Sequence, residues 1–183
     1  SVTESFSVQN TKTDNYGFKH ITLKQNHEGV LVYDGQLKFH FNAKDKLMAI
    51  NGNYIPNIKL NAVPVISQAQ ANTIALQAIE KQNLNNSGKT LKVNKSTLYL
   101  FQKGIERGHY TSRHLAYEVE VRNDADVREF VFVDSHSGVI IEQFTGMAHV
   151  IDRVVYEGNT GNAVWEEGDA FPGFLSQWQQ NEV

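Results

Sequence analysis

Apolar and polar residues alternate along the first third of the chain. The apolar positions of this alternation are Ile21, Leu23, Leu37, Phe39 and Phe41. Successive side chains of a strand point to opposite faces, so a period of two predicts strands with one buried face. The pair Asp34-Gly35, which follows a short apolar run, predicts a hairpin turn. Residues 1–63 are therefore predicted to form a curved antiparallel β meander.

A different period begins at residues 64–82. Pro64 cannot donate to a strand ladder, and Ser67 stands three residues before Gln70, which is the spacing of a helical capping box. Intervals of three and four then relate the apolar positions Ala71, Ile74, Ala75, Ala78 and Ile79. That spacing predicts one amphipathic helix.

Strand-like patterns return after the helix, separated by turn-forming Asn, Asp and Gly residues. They cover residues 96–101, 114–121, 130–133 and 139–141. One helix followed by three or four antiparallel strands predicts an α+β unit in which the helix packs on the sheet. The predicted fold class is thus α+β, with one small domain at 1–63, a second at 64–149 and an extended C-terminal tail.

The predicted tail, residues 150–183, has its own character. Glycines punctuate it, yet Trp165, Phe171 and Trp178 make it too apolar for a disordered linker. It has no pattern that builds a core of its own. We expect it to be the beginning of a larger domain.

Composition and charge narrow the possible partners. The chain has 40% hydrophobic residues and a formal net charge of -3, so no strongly basic field favours nucleic acid or an anionic membrane. No apolar run approaches the roughly 18 residues that a membrane span needs. Cysteine is absent, which excludes disulfides and thiolate sites within this sequence. Neither a nucleic-acid nor a membrane partner is expected.

Histidines are the main candidate metal ligands. Zinc proteases of one large class carry His-Glu-x-x-His, in which two rings one helical turn apart reach the same ion. That motif is absent, as is the Gly-x-Ser-x-Gly nucleophile motif. We therefore expect no catalytic residue and no metal site in this chain. The seven histidines are His20, His27, His40, His109, His114, His136 and His149.

The N-terminal segment resembles the fungalysin/thermolysin propeptide domain, FTP. The resemblance is carried by the spacing His20-x4-Gln25-x3-Gly29 and by the strand through Val32. Two interpretations of His20 and Gln25 are open. They contact a protease, or they form side-chain hydrogen bonds to the backbone that stabilise the hairpin, and we favour the second.

Two positions depart from the pattern of that family. Leu31 and Asp34 stand where such propeptides usually carry Pro and Gly. The departure concerns the local turn geometry and leaves the resemblance of the segment intact.

The second segment, residues 66–145, resembles a PepSY domain. The matching features are a helix that begins near Ile66, a strand that carries Tyr117, and a hairpin with Asp134 and Gly138. An FTP domain followed by a PepSY domain is the propeptide arrangement of secreted thermolysin-like zinc metalloproteases.

This resemblance implies a function. Such a propeptide acts as an intramolecular chaperone and as an inhibitor of its protease until autoprocessing. The implied partner is the cognate catalytic domain in cis, and the implied location is extracellular, or periplasmic in transit. Zinc and calcium are expected in that catalytic domain, and no cofactor is expected in this chain.

The segment after the last predicted strand resembles the junction at which such propeptides are cut. It consists of Phe144, Thr145, Gly146, Met147, Ala148, His149 and Val150. Residues 150–183 are similar to the beginning of the mature protease. The alternative is a freestanding secreted PepSY-type binding module, or a protease inhibitor acting in trans, although such a module has no evident use for the apolar tail.

Overall fold

The computed structural model describes residues 4–104, 112–147, 154–156 and 163–166, and the chain divides into two units, Ser1–Met147 and Ala148–Val183. The elements of the first unit are β1 (Glu4–Thr13), β2 (Lys19–His27), β3 (Val30–Phe41), β4 (Leu47–Asn53), α1 (Gln68–Lys81), β5 (Lys92–Gln102), β6 (Arg113–Arg122), β7 (Arg128–Asp134) and β8 (Ile140–Thr145).

The strands of the first unit form one mixed sheet of eight strands. Its order is β1-β2-β3-β5-β6-β7-β8, and β4 pairs with β3. Each neighbouring pair is antiparallel except β3 with β5, where Leu31 pairs with Tyr99 and Val32 with Leu100. The predicted fold class of two separate small domains was therefore wrong. This short parallel contact joins two meanders, β1 to β4 and β5 to β8, into a single sheet.

The two meanders share one sheet because β3 is long. It continues through the predicted hairpin turn at Asp34-Gly35. Lys24 pairs with Gln36 and Asn26 with Leu31, so residues 32–35 of β3 bulge opposite Gln25. The first half of β3 then keeps a free edge for β5, while its second half pairs with β4. Chain reversal occurs earlier, between β2 and β3.

The bulge and the true turn use related backbone chemistry. Glu28 and Gly29, with φ of 49° and 84°, form the two-residue turn between β2 and β3. At the bulge, Asp34 has φ of 56°, in the region that favours glycine and tolerates aspartate. Gly35 is required by space, because a Cβ there would lie 2.8 Å from the Cβ of Val32.

The helix lies where the apolar spacing predicts it. Ser67 and Gln70 form the expected capping box. The fully buried face of α1, made of Ala71, Ala75 and Ile79, packs against one face of β5, β6 and β7. This contact creates the largest hydrophobic cluster of the described residues.

A second cluster lies on the opposite face of the sheet. Phe101 and Phe132 are fully buried and stack with ring centroids 4.1 Å apart. Tyr33 meets both rings edge-on, at 5.3 Å and 5.2 Å. Because Tyr33 belongs to β3, this cluster connects the N-terminal meander to the C-terminal strands.

The second unit contains two described strands, β9 (Val154–Tyr156) and β10 (Ala163–Glu166), which pair antiparallel. The rest of the predicted tail lies outside the described residues. Across the described part of the chain, the structure has no helix that is long and apolar enough to cross a bilayer.

Candidate functional site

Gln25 is a fully buried polar residue on β2. Its Nε2 donates to the carbonyl oxygen of Ile55 at 2.7 Å, and its Oε1 accepts from the Ile55 N–H at 2.9 Å. The side-chain amide thus pairs with Ile55 as a neighbouring strand would. These hydrogen bonds reach the backbone of residue 55 and not that of the hairpin.

Residues 54–63, which we call the crossing segment, leave β4 and lead toward α1. Ile55 and Ile58 are buried against Val32 of β3 and Leu100 of β5. Val32 and Leu100 are also the second residue pair of the parallel contact between β3 and β5. The crossing segment therefore covers the place where the two meanders join, and the buried amide of β2 fixes it there.

His27 adds a second anchor that the sequence analysis did not single out for this role. It is 2% exposed, and its Nε2 lies 3.1 Å from the carbonyl oxygen of Leu60. Gly29 lies in the adjoining turn. Three of the family-pattern positions, Gln25, Gly29 and Val32, thus lie around one joint, together with this histidine.

His20 belongs to a different cluster. Its Nδ1 lies 2.7 Å from Nδ1 of His40, and its Nε2 lies 3.2 Å from Oδ2 of Asp14. His40 continues the chain, with Nε2 2.8 Å from Oδ1 of Asn51. Only one proton fits between the two Nδ1 atoms, so the contact requires that one of them accepts.

Asp14 ends this row of polar groups at the loop after β1. The backbone N–H of Phe18 donates to its carboxylate, and this bond, together with those from His20 and Tyr16, outweighs desolvation and lowers the pKa of Asp14. The row connects the loop to β2, β3 and β4. It is a stabilising network of the meander.

Asp134 and Gly138 form the tight hairpin between β7 and β8. Oδ1 of Asp134 accepts from the N–H groups of His136 and Ser137, and Gly138 turns the chain with φ of 73°. Burial acts to raise the pKa of Asp134, but the hydrogen bonds from His114, Ser137 and His136 outweigh it, so the pKa is lowered. The ionised Asp134 carboxylate therefore stabilises the turn by accepting its backbone hydrogen bonds.

Tyr117 lies under the start of the helix. It is 6% exposed, and its hydroxyl donates to the carbonyl oxygen of Ile66 at 3.3 Å. The contact joins β6 to the residue that precedes the helix cap, which is a structural role.

A Ser-His-Asp arrangement appears that no sequence motif predicts. Ser112 Oγ lies 2.7 Å from Nε2 of His114, whose Nδ1 lies 2.8 Å from Oδ2 of Asp134. The order of groups is that of a nucleophile, a base and an orienting acid. The contacts with Ser112 and Asp134 orient His114, and the second of them joins β6 to the hairpin of Asp134.

The predicted junction segment begins on the edge strand β8. Phe144 packs against Phe130 and Phe132, with ring centroids 5.6 Å and 5.5 Å apart. The Gly146 N–H donates to the Arg128 carbonyl oxygen at 2.7 Å, and a Cβ on this glycine would lie 2.7 Å from a ring carbon of Phe130. Gly146 is therefore held against β7 by backbone bonding and ring packing.

The remaining junction residues divide between described and undescribed parts. The Met147 N–H donates to Thr145 Oγ1 at 3.2 Å. Ala148, His149 and Val150 lie outside the described residues. The junction segment starts at β8 and the joint around Gln25 lies on β2 and β3, at opposite sides of the sheet order, so these predicted positions do not form one site.

Within the described residues, no group of three or more His, Cys, Asp or Glu side chains could hold a metal ion.

Comparison with known proteins relates part of this architecture to a family. Residues 4–54, which include β1 to β4, match the Fungalysin/Thermolysin Propeptide Motif, FTP. The chain is 24% identical over 149 residues to a bacillolysin of Brevibacillus brevis, covering 78% of this chain and 26% of that protein. The chain thus spans about a quarter of the length of this relative.

A solved structure also shows limited similarity. The C-terminal domain of Bacillus megaterium YpeB superimposes with a TM-score of 0.40 and 17% identity, over 77% of this chain and 56% of that one. The motif match and the bacillolysin similarity together support a propeptide region of a thermolysin-like protease.

Proposed function

We propose that this chain is the N-terminal propeptide region of a secreted thermolysin-like zinc metalloendopeptidase, which it inhibits and helps to fold until autoprocessing. The observation that carries the proposal is the FTP match over residues 4–54. In this reading residues 1–63 form the FTP part, 64–149 the PepSY part, and 150–183 begin the mature enzyme. Zinc and calcium belong to the catalytic domain beyond them.

Inhibition in cis requires little intrinsic affinity. A tethered segment experiences an effective concentration of about 1 mM, so a dissociation constant of about 1 µM leaves roughly one site in a thousand free. Cleavage at the junction removes the tether, and dilution then favours release. A partner that binds only the folded protease also stabilises it by linkage, which is the physical basis of the chaperone role.

The inhibitory contact is assigned to residues 144–150. Phe144 and Gly146 are held against β7, so the described start of this segment has a fixed place on the sheet. Small residues at this point suit an extended segment in a narrow cleft. The imidazole of His149 supplies a nitrogen of the kind that zinc binds.

The test is inhibition of the mature protease encoded by the same gene. The purified chain should inhibit it, while a variant with residues 147–150 replaced by Gly and Ser should inhibit less and melt at the same temperature. The replacement leaves Phe144 in place because that ring is part of the packed sheet. Equal inhibition constants would place the inhibitory contact elsewhere.

The alternative of a freestanding inhibitor acting in trans makes a different prediction. The chain would then inhibit proteases outside its own gene and have no catalytic domain encoded downstream. Absence of inhibition of any thermolysin-like enzyme contradicts both functions.

A further inference from the structure

One face of the N-terminal meander is apolar and partly exposed. Cross-strand partners lie on the same face of a sheet, and two rows of such partners cross the strands. The first row is Val8, Leu23 and Leu37, and the second is Ile21, Phe39 and Ile50. We call these six residues the apolar face.

Within the described residues no second layer packs on the apolar face, unlike the rest of the same side of the sheet. Gln25 and Val32, on the same side, are covered by the crossing segment, and the C-terminal strands are covered by α1. At the apolar face, Val8 is 66% exposed and Ile50 is 51% exposed, and the other four residues are partly exposed. None of residues 36–54 is buried.

The reverse side of the same strands is polar, which makes the asymmetry specific. His20 pairs with His40, and Lys24 with Gln36, on that side. A sheet with one polar and one apolar side normally packs its apolar side on a core. This meander has the pattern of a buried surface, and the described part of the chain supplies no layer that buries it.

The size of the apolar face indicates the kind of partner. Four strands about 4.8 Å apart, over about five residues each, give roughly 300 Å². Contiguous patches of a few hundred Å² on monomers are often functional. Stable association of free proteins usually buries about 800 Å² on each partner, so this patch alone is small for a stable dimer. A tether raises the effective concentration enough for a small patch to bind.

We propose that the apolar face is a docking surface for the catalytic domain of the same precursor, through an apolar patch on that domain. The inference depends on the proposed propeptide function, and it adds the surface that makes the contact. Its centre contains no charged side chain, so the partner surface must be apolar and the contact should be weakly sensitive to salt.

The experiment uses the chain with Val8→Lys and Ile50→Lys combined, against the mature protease of the same gene. Both side chains are exposed, so the variant should melt like the wild type. Its inhibition constant should rise at least about tenfold, as expected when two charged side chains enter an apolar contact. The matched control is Val65→Lys, because Val65 is a valine outside the meander that is 72% exposed. Its inhibition constant should stay within about twofold.

The outcomes separate this inference from the proposed function. If wild type and the double variant inhibit equally, the docking surface is wrong and the propeptide function stands. If the wild type does not inhibit or bind the protease, both are wrong. If sedimentation shows a dimer that the double variant abolishes while inhibition is unchanged, the apolar face joins two copies of the chain, and docking on the catalytic domain is overturned.

Discussion

The two meanders of the sheet have similar strand connections and different packing. β5 to β8 carry α1 on one face and the aromatic cluster of Phe101 and Phe132 on the other, and most residues of β6 and β7 are buried. In β4 every residue is exposed, and in β2 the only buried residues are Gln25 and His27. A complete strand ladder is thus compatible with an incomplete core.

The comparison teaches where stability resides. The C-terminal strands bury their own apolar surface, while the N-terminal meander depends on its attachment to them. That attachment consists of two parallel residue pairs, the crossing segment and the ring contacts of Tyr33. Loss of the attachment should release the N-terminal meander before the helix and its strands unfold.

The largest expected difference comes from one substitution made in each region. Ile79→Ala removes a fully buried side chain from the helix–sheet core and should lower the free energy of unfolding by about 2–5 kcal/mol. Ile50→Ala, at an exposed position of the meander, should lower it by less than about 1 kcal/mol. Urea denaturation followed by circular dichroism measures both. Equal losses would show that the meander has a core of its own.

The next effect concerns the joint. Gln25→Leu leaves the buried N–H and C=O of Ile55 without partners and should cost about 2–4 kcal/mol. Hydrogen exchange should show loss of protection in the crossing segment and in β1 to β4, with α1 still protected. Gln36→Leu, on the polar side of β3, is the control and should change neither. Uniform loss of protection over the whole unit would mean that the two regions unfold together.

A smaller effect is pH-dependent and belongs to the C-terminal region. The folded-state pKa of Asp134 is lowered, so its carboxylate contributes stability that is present above the unfolded pKa, about 3.9, and is lost as the pH falls through the folded value. Asp134→Asn should be less stable than wild type by about 1–2 kcal/mol at pH 6. The difference should shrink below about pH 4. Melting temperatures of both proteins between these conditions provide the measurement, and a constant difference down to the lowest pH contradicts the assignment.

Much of the local structure could be predicted from the sequence because it is encoded in local periods. Apolar residues at intervals of three and four predict the helix, with its capping box at Ser67 and Gln70. Alternating apolar and polar residues predict the strands of the meanders. The parallel contact was missed because it consists of two residue pairs, which leave no period. The predicted hairpin turn at Asp34-Gly35 was wrong because the same dipeptide occurs in hairpin turns and in bulges.

The candidate site was less predictable for a related reason. The turn chemistry of Asp134 and Gly138 lies within five residues, and the sequence shows it. The partners of Gln25 and His20 lie 30 and 20 residues away, at Ile55 and His40. Spacing along one chain cannot select such partners before the strand register is known.

The smallest expected effect tests whether surface charge contributes to the difference between the regions. Each region has an exposed ion pair, Lys19 with Asp45 at 2.6 Å in the meander and Lys92 with Asp124 at 3.1 Å in the C-terminal strands. Exposed pairs gain little because water and salt screen them and because two long side chains must be ordered. Asp45→Asn and Asp124→Asn should each change the melting temperature by less than about 2 °C, and added salt should not separate them from wild type. Asparagine also tolerates the φ of 54° at position 45, so the backbone stays unstrained. A larger loss of melting temperature for Asp45→Asn alone would show that this ion pair stabilises the meander, over which the described residues form no second layer. The contrast between the two regions would then include charge as well as packing.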